Sequence, residues 1–232
     1  NVRYVLVVLL IVLYVPLTGA RASVLRSGMM AAVYLFSFVL ERTRSSVNIL
    51  GLAGLLILLA NPLDLFSVGF QLSFLAVFAL IVLSPELDAL LKPVVHPALD
   101  SIRVAVSVSW AAWIGVLGCV AYYFEMVTPI GMIANLIIVP LTNVFIGLSA
   151  ILVLTGGWFP LCALLISRNL QVLLRLIVCF LYYLDMFPGG WFKVRSMSLG
   201  MCVMYYVLLG GLVIWMKGKK RKKPSDFRRP LS

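Results

Sequence analysis

Residues 104–124 read VAVSVSWAAWIGVLGCVAYYF, an apolar stretch of 21 residues without a charged side chain. A second stretch, residues 197–216 (MSLGMCVMYYVLLGGLVIWM), is 20 residues long and has the same character. A transmembrane helix needs about 20 largely apolar residues to cross the hydrocarbon core of a bilayer. These two stretches therefore predict membrane-spanning helices, and they decide the fold class.

Composition extends this prediction to the rest of the chain. Of the 232 residues, 63% are apolar and 12% are charged, and the mean hydropathy is +1.11. A soluble domain averages about 45–50% apolar and about 25% charged residues. The predicted fold is an all-α, polytopic integral membrane bundle over residues 1–216, with about eight helices, several of them short or broken.

Two apolar runs in the first half of the chain are too short to cross a bilayer. Residues 47–60 and 70–83 hold 14 residues each, which gives about 21 Å of helix against a hydrocarbon core of about 30 Å. Either these helices extend into their flanks, or they are half-helices. In the second case, residues 60–69 between them are predicted to be backbone buried at membrane depth.

Prolines interrupt two further segments. Pro140 lies in the middle of the apolar residues 128–154, and because proline removes a backbone donor it predicts two short helices that meet there. Residues 85–100 contain three prolines and three acids between leucines. This pattern predicts a short amphipathic segment on the membrane surface.

The excess of positive charge is concentrated in the C-terminal segment. The chain has 19 Lys and Arg against 8 Asp and Glu, a net charge of +11, and residues 217–232 hold eight bases and one acid, or +7. Because cytoplasmic segments beside membrane helices are rich in Lys and Arg, these residues predict a basic cytoplasmic tail. Arg21 with Arg26 and Arg42 with Arg44 give opposing signals across the helix between them.

Residue types that carry catalysis are sparse. His96 is the single histidine, and the four cysteines, Cys119, Cys162, Cys179 and Cys202, lie far apart in apolar runs. There is no CxxC spacing, GxSxG sequence or Walker GxxxxGK[ST] motif. The sequence therefore predicts a protein that is not an enzyme and that has no metal ion or cofactor.

Five sequence features together carry a family resemblance. They are Leu25-Arg26-Ser-Gly-Met29-Met30, the arginine-led Glu41-Arg42-Thr43-Arg44, Asn61-Pro62, Gly69-Phe70-Gln71-Leu72-Ser73-Phe74, and Pro129-Ile-Gly-Met-Ile-Ala-Asn135 running on to Pro140. In these features the sequence resembles the membrane domain of the ComEC-type competence family. Members of that family are channel proteins that pass single-stranded DNA across the bacterial inner membrane.

The resemblance implies a function and partners. It implies an inner-membrane channel module for single-stranded DNA during competence and transformation, working with other competence proteins or separate soluble domains. The chain lacks the HxHxDH signature of the metallo-β-lactamase-like domain found in larger members. The resemblance therefore supports the channel module alone, and the chain is expected to be a fragment of a longer protein.

Candidate pore-lining or DNA-path residues are polar side chains within apolar, short or broken segments, together with arginines able to contact phosphate. They are Arg42, Arg44, Asn61, Gln71, Ser73, Asn135, Arg168, Gln171 and Arg175. Each polar side chain also has an ordinary reading as an interhelical hydrogen-bonding group, and the arginines as side chains that reach the headgroups. Aromatic residues near the ends of two apolar stretches are interpreted as an interfacial belt. They are Trp110, Trp113, Tyr122, Tyr123, Trp191, Phe192, Tyr205 and Tyr206.

Two functions remain as alternatives to a DNA channel. Broken helices with buried Asn and Gln are also how small-solute or lipid transporters bind their substrates. A non-conducting membrane scaffold that anchors partner proteins is the second alternative.

Overall fold

The computed structural model describes residues 2–19, 21–39, 45–158, 160–187, 189–194 and 197–221. The described residues form eight α-helices: α1 (Val2–Leu17), α2 (Ala22–Val39), α3 (Ser46–Ala60), α4 (Val68–Leu91), α5 (Asp100–Phe124), α6 (Ile130–Thr155), α7 (Pro160–Asp185) and α8 (Leu199–Arg221). Two single-turn 3-10 segments, Pro62–Phe66 and Pro97–Leu99, precede α4 and α5. The predicted all-α polytopic bundle is confirmed.

Five of these helices, α4 to α8, are long and apolar enough to cross a membrane, whereas α1, α2 and α3 are shorter apolar helices. A pair of two-residue strands, β1 (Met126–Val127) and β2 (Phe192–Lys193), is the only sheet among the described residues, and it is antiparallel. The pair joins the segment after α5 to the segment before α8. The predicted boundary at residue 216 stays a prediction, and α8 continues past it to Arg221.

The short helix at residues 47–60 is confirmed by α3. For residues 70–83 the first of the two alternatives is confirmed, because this helix extends into its flanks. Helix α4 has 24 residues and continues through Pro85 to Leu91. Residues 85–91 therefore belong to a long helix, and the prediction of a surface segment over residues 85–100 is wrong for this half. One of the two acids in this part, Asp88, is paired with Arg103 of α5 at 2.8 Å, which offsets the cost of an isolated charge.

The prediction of two short helices around Pro140 is also wrong. Helix α6 runs through Pro140 as one element of 26 residues. Membrane helices tolerate proline because neighbouring groups satisfy the backbone that it frees.

Residues 60–69 are not buried within the chain, so the prediction that they form buried backbone between two half-helices is wrong. The 3-10 turn Pro62–Phe66 has no buried residue, and the side chains of Leu63 and Phe66 are 73% and 74% exposed. Since α4 is long enough to cross by itself, irregular backbone at membrane depth is not needed there.

The closest packing lies between α4 and α5. A Cβ atom added at Gly115 of α5 would overlap the Cβ of Ala79 on α4, so the glycine allows the two backbones to approach. Ala79 and Ala111 are almost fully buried, and with Leu83 and Val213 they form the core cluster of the described residues.

Tyrosines fasten α8 to α5. The Tyr205 hydroxyl donates to the Ile114 carbonyl oxygen at 2.8 Å, and the Tyr206 hydroxyl donates to that of Gly115 at 3.0 Å. Gly118 leaves the space in which both rings lie, because a Cβ there would be 2.7 Å from the Tyr205 ring. Both hydroxyls thus have partners within the bundle, and the position of this pair in an interfacial belt stays a prediction.

Candidate functional site

A largely apolar cleft of about 830 Å³ lies between α3, α4, α5 and α8, and we call it the central cleft. Each helix contributes to its wall: α3 with Val47, Leu50, Gly51, Gly54, Leu55 and Leu58, α4 with Phe70, Gln71, Phe74, Leu75 and Phe78, α5 with Cys119, Tyr122 and Tyr123, and α8 with Leu199, Cys202 and Tyr206. Its volume is in the range of about 300–1,000 Å³ that is usual for ligand pockets.

Gln71 is the amide side chain in the wall of the central cleft. Its Nε2 donates to the Leu65 carbonyl oxygen at 3.1 Å, and its Oε1 accepts from the Tyr123 hydroxyl at 3.0 Å. The Cys119 thiol donates to the same oxygen at 3.7 Å. Gln71 thus ties the 3-10 turn before α4 to the end of α5, and it gives the cleft a polar group at that end.

Two glycines shape the α3 wall in different ways. A Cβ added at Gly54 would lie 3.0 Å from the ring of Phe74, so this glycine is a close-packing position. A Cβ at Gly51 would meet no atom within 4 Å, and Gly51 therefore faces open space in the cleft. Added volume at Gly51 would narrow the cleft without displacing a helix.

Aromatic side chains make up much of the remaining wall. Phe70, Phe74 and Phe78 repeat every four residues on α4, and Tyr122 and Tyr123 face them from α5. Bases of any identity stack on aromatic rings, with about 1–3 kcal/mol per base. Such a wall accepts flat, partly apolar groups without selecting among them by hydrogen bonds.

The other predicted residues on the first half of the bundle lie outside the central cleft. Asn61 is exposed and caps the 3-10 turn, since its Oδ1 accepts from the Leu63 N–H at 3.3 Å and its Nδ2 donates to Asp64 at 2.9 Å. Ser73 is half-buried on α4 and does not line the cleft. Arg42 and Arg44 lie outside the described residues.

The predicted residues on α6 and α7 are separate from those on α4. Asn135 is exposed on α6, and Arg168, Gln171 and Arg175 are exposed on α7, which contacts α6 and no other described element. The structure therefore brings none of these four side chains to the central cleft. That they line a DNA path stays a prediction.

Sequence reasoning missed Tyr123, Cys119 and Gly51 as parts of this site. Tyr123 and Cys119 had no visible signal because their contacts with Gln71 join residues 52 and 48 positions apart along the chain. Gly51 had no signal either, because the fold decides which residues of α3 face α4. Within the described residues, no group of His, Cys, Asp or Glu side chains is arranged to hold a metal ion.

Comparison with known proteins then decides the family. The family model described as Competence protein matches residues 1–219. The chain belongs to the competence protein family. Among relatives, ComE operon protein 3 of Bacillus subtilis (strain 168) is 39% identical over 137 residues, which is 59% of this chain and 16% of that protein.

The matched part is thus a small share of this curated relative. No solved structure matches the chain. The resemblance drawn from the motifs at Arg26, Gln71 and Asn135 is confirmed at the level of the competence family, and its membrane setting agrees with the five candidate spans.

Proposed function

We propose that this chain is a membrane module of the DNA-uptake machinery of a competent bacterium, and that it gives a single DNA strand a passive path across the inner membrane. The observation that carries the proposal is the match of the Competence protein family model to residues 1–219, which include α1 to α7 and all but the last two residues of α8. The named relative belongs to a ComE operon. Driving force and further domains are supplied by other parts of the system.

The central cleft is the proposed location of the path. It is bounded by four helices, its wall offers stacking surfaces, and Gln71 and Tyr123 provide polar groups at one end. Stacking without base-specific hydrogen bonds suits a strand of any sequence. The module performs no covalent chemistry in this proposal, so it is not an enzyme and needs no cofactor.

A vesicle assay tests this function against its alternatives. We expect vesicles that contain the purified protein to admit a fluorescent single-stranded oligonucleotide and to exclude the same oligonucleotide as a duplex. Entry of small sugars or amino acids without DNA would instead indicate a transporter. Entry of none of them, with the protein correctly folded, would favour a scaffold, and the conduit proposal would then be abandoned.

We also propose that the C-terminus is cytoplasmic. Helices α4 to α8 follow one another through short connections, so successive helices run in opposite directions. The ends of α4 and α8 then lie on one side of the membrane, with Lys92 and the basic segment from Lys217, and the β1–β2 pair lies on the other. Basic residues favour the cytoplasmic side.

Reporter fusions check this topology. A reporter enzyme that is active only outside the cytoplasm should be inactive when fused after Ser232 and active when fused after Val127 of β1. The two fusion points lie on opposite sides of the membrane in the proposed topology. Equal expression of both fusions is the control. Activity at Ser232 with none at Val127 would show that the bundle has the opposite orientation in the membrane.

A further inference from the structure

Arg26 is a buried arginine for which the described residues provide no counter-charge. Its side chain lies on α2, the residue is 8% exposed, and its Nε–H has no hydrogen-bond acceptor. Both ion pairs among the described residues belong to Arg103. A buried charge without a partner is strongly destabilising, so a membrane helix keeps one only where a ligand, water or another chain compensates it.

The Arg26 guanidinium lies against the N-terminus of α4. Its Nη2 would be 2.6 Å from a Cβ placed on Gly69, the second residue of that helix, so glycine alone leaves it room. Ser67 caps only the Phe70 N–H. The first N–H groups of a helix carry partial positive charge and have no partner within the helix.

Two positive groups therefore meet at one point, and an anion is the ligand that satisfies both. Guanidinium N–H groups and a helix N-terminus each bind phosphate in a recurring way. We propose that Arg26 and the first turn of α4 form a binding site for the phosphate group of a membrane phospholipid.

Depth and position favour a lipid as the source of the phosphate. Arg26 follows the start of α2 at Ala22 by four residues, or about 6 Å along the helix. The headgroup region occupies about 5–7 Å on each side of the hydrocarbon core. Helix α1, which packs on α2, contacts no other described element, so α1 lies at the edge of the bundle beside this site. A lipid phosphate reaches this site from the bilayer, and the site does not depend on DNA passage.

The test compares the full chain and two neutral variants in a phosphate-free maltoside detergent. We expect Arg26→Gln to unfold at the same or a higher temperature than the parent protein, because the substitution removes an unpaired charge. On addition of phosphatidylglycerol, the unfolding temperatures of the parent and of the control Arg21→Gln should rise by several degrees, and that of Arg26→Gln should not. Diacylglycerol with the same acyl chains should raise none of the three unfolding temperatures.

Three further measurements identify the source of the phosphate and control for misfolding of a variant. Gly69→Ala keeps the charge but displaces the guanidinium, and it should also lose the response to phosphatidylglycerol. Stabilisation by inorganic phosphate or by a thymidine oligonucleotide, but not by phosphatidylglycerol, would overturn the lipid assignment. A clear loss of stability of Arg26→Gln before any lipid is added would show that Arg26 has a partner within the protein, and would overturn the site itself.

Discussion

Replacing Gly115 by Ala is expected to prevent accumulation of the folded protein in the membrane. The added Cβ would overlap the Cβ of Ala79, and the Leu75 carbonyl oxygen lies 3.1 Å from the same position. Backbone and a helix-bound Cβ cannot move aside as the end of a flexible side chain does. Overpacking of a tight core costs about 1–3 kcal/mol and occasionally more, and here the cost falls on the closest helix pair.

A matched glycine and a second-site change make this prediction specific. Gly147 of α6 has open space around it, so Gly147→Ala should accumulate normally and gain helix propensity of up to about 1 kcal/mol. Combining Gly115→Ala with Ala79→Gly moves the methyl group to the other helix and should restore part of the membrane abundance. Immunoblots of membrane fractions and the temperature of unfolding measure both effects.

The rescue tests the contact itself. Mutations in contact show interaction energies of about 0.5–3 kcal/mol in a double-mutant cycle, whereas distant ones add. If Gly115→Ala accumulated as well as Gly147→Ala, then α4 and α5 would not pack in the manner described.

The membrane class and most helices were predictable because the bilayer imposes a length and a composition on each span. The predicted residues 104–124 lie within α5, and the predicted 47–60 coincides with α3 apart from one residue. These features depend on local composition alone, which a reader of the sequence can measure directly.

Helix ends near prolines were not predictable in the same way. Pro85 and Pro140 each lie inside a long helix, because the value of a continuous span outweighs one lost backbone hydrogen bond. Near the end of α4, Asp88 pairs with Arg103, 15 positions further along the chain, and no local pattern reveals this contact.

The candidate site was predictable only in part. Gln71 was identified because an amide in an apolar helix needs a partner, and that partner is Tyr123, 52 positions away. Arg26 was visible as part of a family motif and as a topology signal, whereas its contact with Gly69 required the fold. Pairs of this kind depend on which helix faces which, and helix order alone leaves that open.

Replacing Gly51 by Trp is expected to block DNA uptake while leaving the protein in the membrane. Gly51 lines the central cleft, and a Cβ atom added there meets no other atom within 4 Å. The indole would occupy a substantial part of a cleft of about 830 Å³. Because a strand must pass through the remaining space, we expect transformation to fall by more than an order of magnitude at nearly normal abundance.

A graded series separates blockage from damage. Gly51→Ala should leave transformation unchanged, Gly51→Leu should reduce it partly, and Gly51→Trp should reduce it most, in the order of added volume. Gly147→Trp is the matched control, since Gly147 is also surrounded by open space but does not line the cleft. Transformation frequency and membrane abundance are measured on the same cultures, with the full-length gene at its own locus.

The series also distinguishes this path from a path elsewhere in the protein. Normal transformation with Gly51→Trp at normal abundance would place the strand outside the central cleft. In that case the exposed arginines of α7, Arg168 and Arg175, become the next candidates, and their replacement by Gln should then reduce uptake because a hydrated guanidinium contacts phosphate without reading sequence. A loss of uptake on α7 together with none at Gly51 would assign conduction to the α6–α7 face.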